Sequence, residues 1–447
     1  MPTLSDSHVR PRVTANRSSA QVAEESRERV DLPAFRLRPL QVTWEMTRAC
    51  EAGIPAEQNP GLWLGTLLEA LYRQGRDKVT LILSPKIQKF GGWIEQLLAE
   101  STGKETETSG MPSGLVPVTD EPAGAPADYG ADRVFVYLCL DGDTNAGLDQ
   151  RVDALANAGQ PVIRINLRDV YDLGGEFFRW EFAAAAAGAL LELNPFDQPN
   201  VAAGKERTDR MLEAFKSRGK LPALVPLLTQ DGISLYWNQP HAQHEKLEEY
   251  LREFLDQGGP NDYIALMPYM TRSPSSERAF TAIRADLLSR CQVATTLGYG
   301  PRILHSTGQL HKGGANKGLF IQVTQPGAKD VNIPGEAYTF GVLQAAQALG
   351  DWQALQDQHR RVLSLQLSED VDIEALPKLI HAALDLNSPA DRQDGTGVET
   401  GSSKLPAAEN APAASPTTAP PAESGAHDNA SAENSSTTGR RTARPGN

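Results

Sequence analysis

Short apolar runs alternate with helical stretches along much of this chain, and that order restricts the folds open to it. Residues 134–138 (Val-Phe-Val-Tyr-Leu) and 162–165 (Val-Ile-Arg-Ile) bracket a helical pattern around 149–158. Upstream, 79–83 (Val-Thr-Leu-Ile-Leu) is followed by Phe90, Trp93, Ile94, Leu97 and Leu98 on one helical face. Runs this apolar belong to strands covered on both faces, so the pattern predicts parallel βαβ units and an α/β fold. Leu64, Leu67, Leu68 and Leu71 mark a helix over 61–71 before the first strand, and the helix from 90 runs to about 99. A polar loop is expected over 105–132. An alanine-rich helix over 173–193 stops at Asn194-Pro195, since the residue before proline is driven out of the helical region. Helices are expected at 203–216 and 244–255. A further α/β stretch follows: strand 263–267, helix 276–289, strands 302–305 and 319–323, helix 338–348 and strand 362–367. The economical reading is two α/β lobes, 37–205 and 206–386, with doubly wound, mainly parallel sheets.

Composition assigns the rest. From 387 to 447 the residues are largely Pro, Ala, Ser, Thr, Gly and Asn, with Val398 and Leu405 the only larger aliphatic ones. Such a segment cannot offset its ordering entropy by burial and is expected to be disordered, as is the polar, aperiodic head 1–36. With 43 basic against 56 acidic residues the net charge is -13, which argues against a nucleic-acid partner held through phosphates. No apolar run reaches the roughly 18–20 residues of a membrane span, and the N-terminal thirty residues lack a signal-peptide core. Cys50, Cys139 and Cys291 are dispersed, without a CxxC pair, so no disulfide framework or structural zinc site is expected and a reducing compartment fits best. His241 and His244 form an HxxH pair without further ligands, and no metal is assigned to it.

Three segments carry chemistry. Residues 97–104 read Leu-Leu-Ala-Glu-Ser-Thr-Gly-Lys, approached through Ser84-Pro85-Lys86-Ile87-Gln88-Lys89-Phe90 and Trp93-Ile94-Glu95-Gln96-Leu97. Leu193-Asn194-Pro195-Phe196-Asp197-Gln198-Pro199-Asn200-Val201 precedes Lys205. Residues 300–314 read Gly-Pro-Arg-Ile-Leu-His-Ser-Thr-Gly-Gln-Leu-His-Lys-Gly-Gly. In these segments, over about residues 45–385, the chain resembles the phosphoglucose isomerase (glucose-6-phosphate isomerase) family. The first is similar to its Glu-Ser-x-Gly-Lys motif and the second to its Phe-Asp-Gln-x-Gly-Val-Glu-x-x-Lys signature. The third looks like the isomerase half of bacterial bifunctional transaldolase/phosphoglucose isomerase fusions. The chain departs from the family at Asn200, where glycine is common, at Ala202, where glutamate is usual, and in the placing of Gly308-Gln309-Leu310-His311 after the Phe-Asp-Gln segment. The family's Ser/Thr-rich phosphate loop and Gly-Gly-Arg segment find no match, so the chain is expected to correspond to the later part of the enzyme joined to an unrelated head.

The resemblance implies two sugar isomerase (SIS) domains, each a doubly wound α/β unit. It implies interconversion of glucose 6-phosphate and fructose 6-phosphate through an enediolate, in glycolysis and gluconeogenesis, in the cytoplasm, without metal or cofactor. A homodimer, or association with a transaldolase/isomerase partner chain, is implied too. Moving a proton between C1 and C2 suits a carboxylate whose pKa is raised by partial shielding, and Glu100 matches that position. Lys205 and His311, with His305 as second choice, match ring-opening groups. Gln96, Gln198, Ser101, Thr102, Lys104 and Lys312 match substrate contacts, the last in a glycine-rich loop whose amides suit a phosphate. The alternative is a non-catalytic sugar-phosphate-binding SIS module, or an inactive remnant, and a third is isomerisation of another phosphosugar.

Overall fold

A computed structural model of the chain describes residues 34–327 and 329–386. The disordered ends expected at 1–36 and 387–447 lie outside these residues, apart from 34–36, which open the first helix. The first part of the chain runs α1 (Ala34–Ala49), α2 (Pro60–Arg73), β1 (Lys78–Leu83), α3 (Phe90–Thr102), β2 (Val116–Val118), β3 (Arg133–Leu140), α4 (Ala146–Asn157), β4 (Val162–Leu167) and α5 (Leu173–Leu190). Its four strands are all parallel, in the order β2-β1-β3-β4. Side-chain alternation sorts each strand between two cores. Val134, Val136 and Leu138 join Leu64, Leu68, Ile94, Leu98 and Trp180 on the face covered by α2, α3 and α5. Phe135 and Tyr137 join Val152 and Leu155 of α4 on the other face.

The second part runs α6 (Val201–Arg218), β5 (Leu228–Gln230), β6 (Ile233–Tyr236), α7 (Leu247–Leu255), β7 (Tyr263–Tyr269), α8 (Pro274–Cys291), β8 (Ala294–Leu297), α9 (Gly308–Gly313), β9 (Gly318–Thr324), α10 (Phe340–Asp357), β10 (Arg361–Leu367) and α11 (Ala375–Asp385). Its six strands lie in the order β5-β6-β10-β9-β7-β8, parallel except where β6 pairs β5 and β10. The fold is therefore mixed α/β with parallel sheets. Residues 302–305, expected as a strand, form a 3-10 turn instead. The β8 strand lies just upstream, and Pro301 brings no N–H to a ladder. Within the expected loop 105–132, β2 is an edge strand of three residues centred on Pro117, a residue that edges tolerate. The expected lobe boundary at 205 falls inside α6, which packs along α10.

Two buried polar seams tie the sheets together. In one, Arg133 donates to both oxygens of Glu121 at 2.8 and 3.1 Å, while Glu121 Oε1 accepts from the Thr295 amide of β8 at 2.9 Å. Arg284 of α8 donates to the carbonyls of Thr119, Asp120 and Thr295 at 2.8–2.9 Å. In the other, Lys78 Nζ sits 2.6 Å from Asp77 and 3.2 Å from Asp132 and donates to the Asn261 carbonyl at 2.6 Å, with Lys317 on the second oxygen of Asp77 at 2.7 Å. Between the seams, Ala99, Val116 and Val118 pack with Tyr263, Ala265 and Phe320 in a core common to both sheets.

Helix α1 lies directly on α5. A Cβ at Gly174 would stand 2.5 Å from the Pro39 carbonyl oxygen, so only glycine admits this approach. Beside that contact Glu176 is 3% exposed, with one oxygen 3.3 Å from Arg179 and the other without a partner. Burial pushes its carboxyl up to about 7, against the pull of Arg179 and with a smaller push from Asp172. The fold thus holds this proton more tightly than the unfolded chain, whose value is near 4.5. The stability it contributes is complete below that value and is lost as pH rises through about 7, a penalty on the order of 3 kcal/mol at most. Thermal melts of Glu176→Gln should therefore show a raised midpoint against the parent at pH 8 and little difference at pH 5; an equal gap at both pH values would refute this.

Candidate functional site

The site grows from the C-terminal end of α3. Apolar spacing buries Ile94, Leu98 and Ala99 against the first sheet and leaves Gln96 and Glu100 half-buried on the opposite edge. Gln96 Nε2 donates to Glu100 Oε2 at 3.2 Å across one turn. Burial raises the Glu100 carboxyl above the usual carboxylate range, and Gln96, His305 and Lys104 pull it partly back. Gln96 thus lies against Glu100, and His305 is near enough to act on its charge. His305 is exposed at the end of the 302–305 turn, where Ile303 is buried in the common core.

The residues after Glu100 serve the frame. Thr102 Oγ1 donates to the Leu98 carbonyl at 2.7 Å and accepts from the Leu115 amide at 2.9 Å, and Ser101 is buried beside it. Lys104, 3% exposed, donates to the carbonyls of Asn194 and Asp197 at 2.7 and 2.5 Å and to the Asp197 carboxylate at 2.9 Å. The Glu-Ser-Thr-Gly-Lys and Asn-Pro-Phe-Asp-Gln segments, ninety residues apart, are thereby locked together. Lys104, Asn194, Asp197, Pro199 and Asn200, with Glu105 and Glu107, line an open cleft of about 170 Å³. Gln198 is exposed on the loop over it.

Gln309, which the sequence reading did not single out, is the hub. Fully buried, its Nε2 donates to the Gly103 carbonyl at 2.9 Å and to Asn200 Oδ1 at 2.8 Å, while its Oε1 accepts from the Asn200 amide at 3.0 Å. A Cβ on Gly103 would lie 2.4 Å from the Leu310 Cα, so glycine there admits helix α9. All three motif segments meet at this one amide. The signal for it was the glutamine in Gly308-Gln309, which sequence reading passed over in favour of the histidine two positions on.

That histidine is placed differently from His305. His311 is buried, its ring 5.0 Å from that of Phe320, and burial, with Lys312 and Arg360 nearby, holds its pKa down to about 3, so it is neutral around pH 7. Lys312 is buried too, its Nζ 2.6 Å from Asp351 Oδ1, and Asp351 Oδ2 accepts from the Tyr269 hydroxyl at 3.1 Å. Lys205 stands exposed on α6 next to Gly204, whose position backs onto the Lys312 stem. The geometry therefore separates a solvent-facing group, Glu100, Gln96, His305, Lys205 and Gln198, from an inner frame, Ser101, Thr102, Lys104, Gln309, His311 and Lys312. Among the described residues no group of three or more His, Cys, Asp or Glu side chains is placed to hold a metal. No helix among them is long and apolar enough to cross a membrane.

Comparison with known proteins points in one direction. The chain is 30% identical to a glucose-6-phosphate isomerase of Rubrobacter xylanophilus, in an alignment covering 30% of this chain and 38% of the relative. It is 29% identical to a glucose-6-phosphate isomerase of Bacillus anthracis, covering 35% and 42%. The matched stretch thus spans about two fifths of the length of these relatives. A crystal structure of a glucose-6-phosphate isomerase from Chlamydia trachomatis aligns over 78% of this chain and 72% of its own, at 12% identity and a TM-score of 0.23, so the description of the fold rests on the sheets themselves. No family model matches the chain.

The hub makes a measurable demand on stability. Replacing Gln309 by Ala strands the buried Gly103 carbonyl and removes the partners of the Asn200 N–H and Oδ1, at a cost on the order of 1–3 kcal/mol. Urea unfolding of Gln309→Ala is the check, and a midpoint equal to the parent's would show that water replaces the amide.

Proposed function

We propose that the chain is an aldose–ketose isomerase of the phosphoglucose isomerase type, interconverting glucose 6-phosphate and fructose 6-phosphate through an enediolate. The observation that carries this reading is Glu100: a half-buried carboxyl with its pKa raised, at the end of α3, beside a solvent-facing imidazole. A carboxylate whose proton affinity burial has raised can take a proton from one carbon and return it to the next. In this reading Glu100 is the shuttle, and His305 takes the ring-opening role in place of His311, which is buried and whose depressed pKa disfavours the protonated ring. Lys205 supplies a solvent-facing cation, and Gln96 and Gln198 supply amide donors that bind oxygens without adding charge. Lys104, Thr102, Ser101 and Lys312 act at one remove, by holding the loops. The relatives' name and the three motif segments support the same reading. So does the likeness of residues 300–314 to the bifunctional transaldolase/isomerase fusions. Two SIS-type lobes, a place in glycolysis and gluconeogenesis in the cytoplasm, and a homodimer or a complex with a transaldolase/isomerase chain belong to this proposal.

The binding-module reading has an observation of its own: Lys104 and Lys312 are already satisfied within the chain. The two readings separate in a coupled assay of fructose 6-phosphate conversion without added divalent metal. Turnover that falls at least about a thousandfold in Glu100→Gln, with sugar-phosphate binding retained, is expected of the isomerase. Binding without turnover in the parent chain would transfer the assignment to the module.

A further inference from the structure

One buried carboxylate close to the site is unused by this scheme. Glu95 lies on α3, five residues before Glu100, and is 2% exposed. Its Oε2 accepts from Thr119 Oγ1 at 2.7 Å and its Oε1 from Arg302 Nη2 at 3.1 Å. Arg302, at 54% side-chain exposure, opens the same 3-10 turn that His305 closes. In a 3-10 helix residues three apart lie on one face, so Arg302 and His305 project from the turn together, while Ile303 points inward. The inward side is built for it. A Cβ at Gly298 would collide with Ile303 Cγ2 at 2.2 Å, and one at Gly308 would stand 2.8 Å from the Ile303 carbonyl oxygen.

The spacings agree. Five residues of α-helix rise about 7.5 Å and three residues of 3-10 helix about 6 Å. A turn tied by its first residue to Glu95 therefore has the reach to bring its last residue near Glu100, on whose charge His305 acts. We propose that the Glu95–Arg302 pair is a positioning device, which holds the 302–305 turn along α3 so that His305 faces the Glu100 carboxyl. The electrostatic pull of His305 on Glu100 is the consequence of that placement. The role of the pair in turnover rests on the isomerase reading; the placement of His305 does not.

The test is a coupling measurement on the full chain, reading the Glu100 carboxyl by carbon NMR across a pH titration. His305→Gln should move the Glu100 midpoint upward in the parent background, since it removes a group that favours the carboxylate. In Arg302→Gln, and separately in Glu95→Gln, the same His305→Gln change should move that midpoint less than half as far. Arg302 is half exposed and a glutamine at 95 still accepts from Thr119, so both backgrounds are expected to fold, with thermal melts as the control. A full-sized shift in both backgrounds, or no shift in the parent, overturns the proposal. If the parent turns over sugar phosphate, Arg302→Gln should lower kcat with KM little changed, and Arg302→Lys should restore part of it. Loss of coupling in a chain that shows no turnover would leave the positioning role standing and remove the isomerase reading alone.

Discussion

Everything around the candidate site hangs on one buried side-chain amide. Gln309, from the third segment, bonds to both the Gly103 and Asn200 segments, with its donor and acceptor groups both in use. A hydrogen bond of this kind adds only about 1 kcal/mol on balance, but leaving such groups unpaired in a dry interior costs more. The constraint is therefore less an attraction than a veto: any arrangement that separates these loops strands several polar groups at once. Glycine at 103 sharpens the veto, because a side chain there would collide with α9 before the amide could reach its partners.

The same logic operates at the scale of the sheets. The seam residues Glu121, Arg133, Arg284, Lys78, Asp77 and Asp132 are all buried, and each charge is met by an opposite charge or by carbonyl oxygens. Buried ion pairs are poor sources of net stability but severe penalties when broken. They fix how β2 and β8 approach one another. Since β2 follows α3 and β8 precedes the 302–305 turn, the seam also sets the distance between the two halves of the site. Sheet-to-sheet register and the meeting of Glu100 with His305 are one constraint seen at two ranges.

This division explains what could be read from the residues alone. Strands such as 79–83, 134–138 and 319–323 were legible because a strand covered on both faces must be apolar throughout, a local property. The same holds for α2 and α8, whose caps Asn59 and Ser273 precede Pro60 and Pro274. β2, with Pro117 at its centre, was not legible: three residues carry no periodicity, and the strand exists because Val116 and Val118 fill a core supplied by the other sheet. Residues 302–305 misled for the opposite reason, since Ile303 and Leu304 look like a strand while the glycines that receive Ile303 lie before and after them. At the site, Glu100 was legible from its motif. The inner role of Lys312 and His311 was not, because Asp351 is distant in sequence and neither it nor Phe320 belongs to a motif.

The charges available to a ligand follow from the same separation. Lys104 is engaged by Asp197, Lys312 by Asp351 and Arg133 by Glu121. A phosphate approaching Lys312 or Arg133 would have to displace a carboxylate buried against its cation, and breaking such a pair costs about 3–5 kcal/mol; at Lys104 the competing Asp197 is half-exposed, and two carbonyls hold the ammonium as well. Solvent-facing cations carry no such debt. Lys205 has no partner among the described residues, and His305 is exposed, whereas Arg302 is held by Glu95. Under the proposed reading, an anionic sugar would therefore meet its free cation on the outer side, at Lys205. The inner lysines, which read from their motifs as the natural phosphate ligands, serve by keeping that outer group in register.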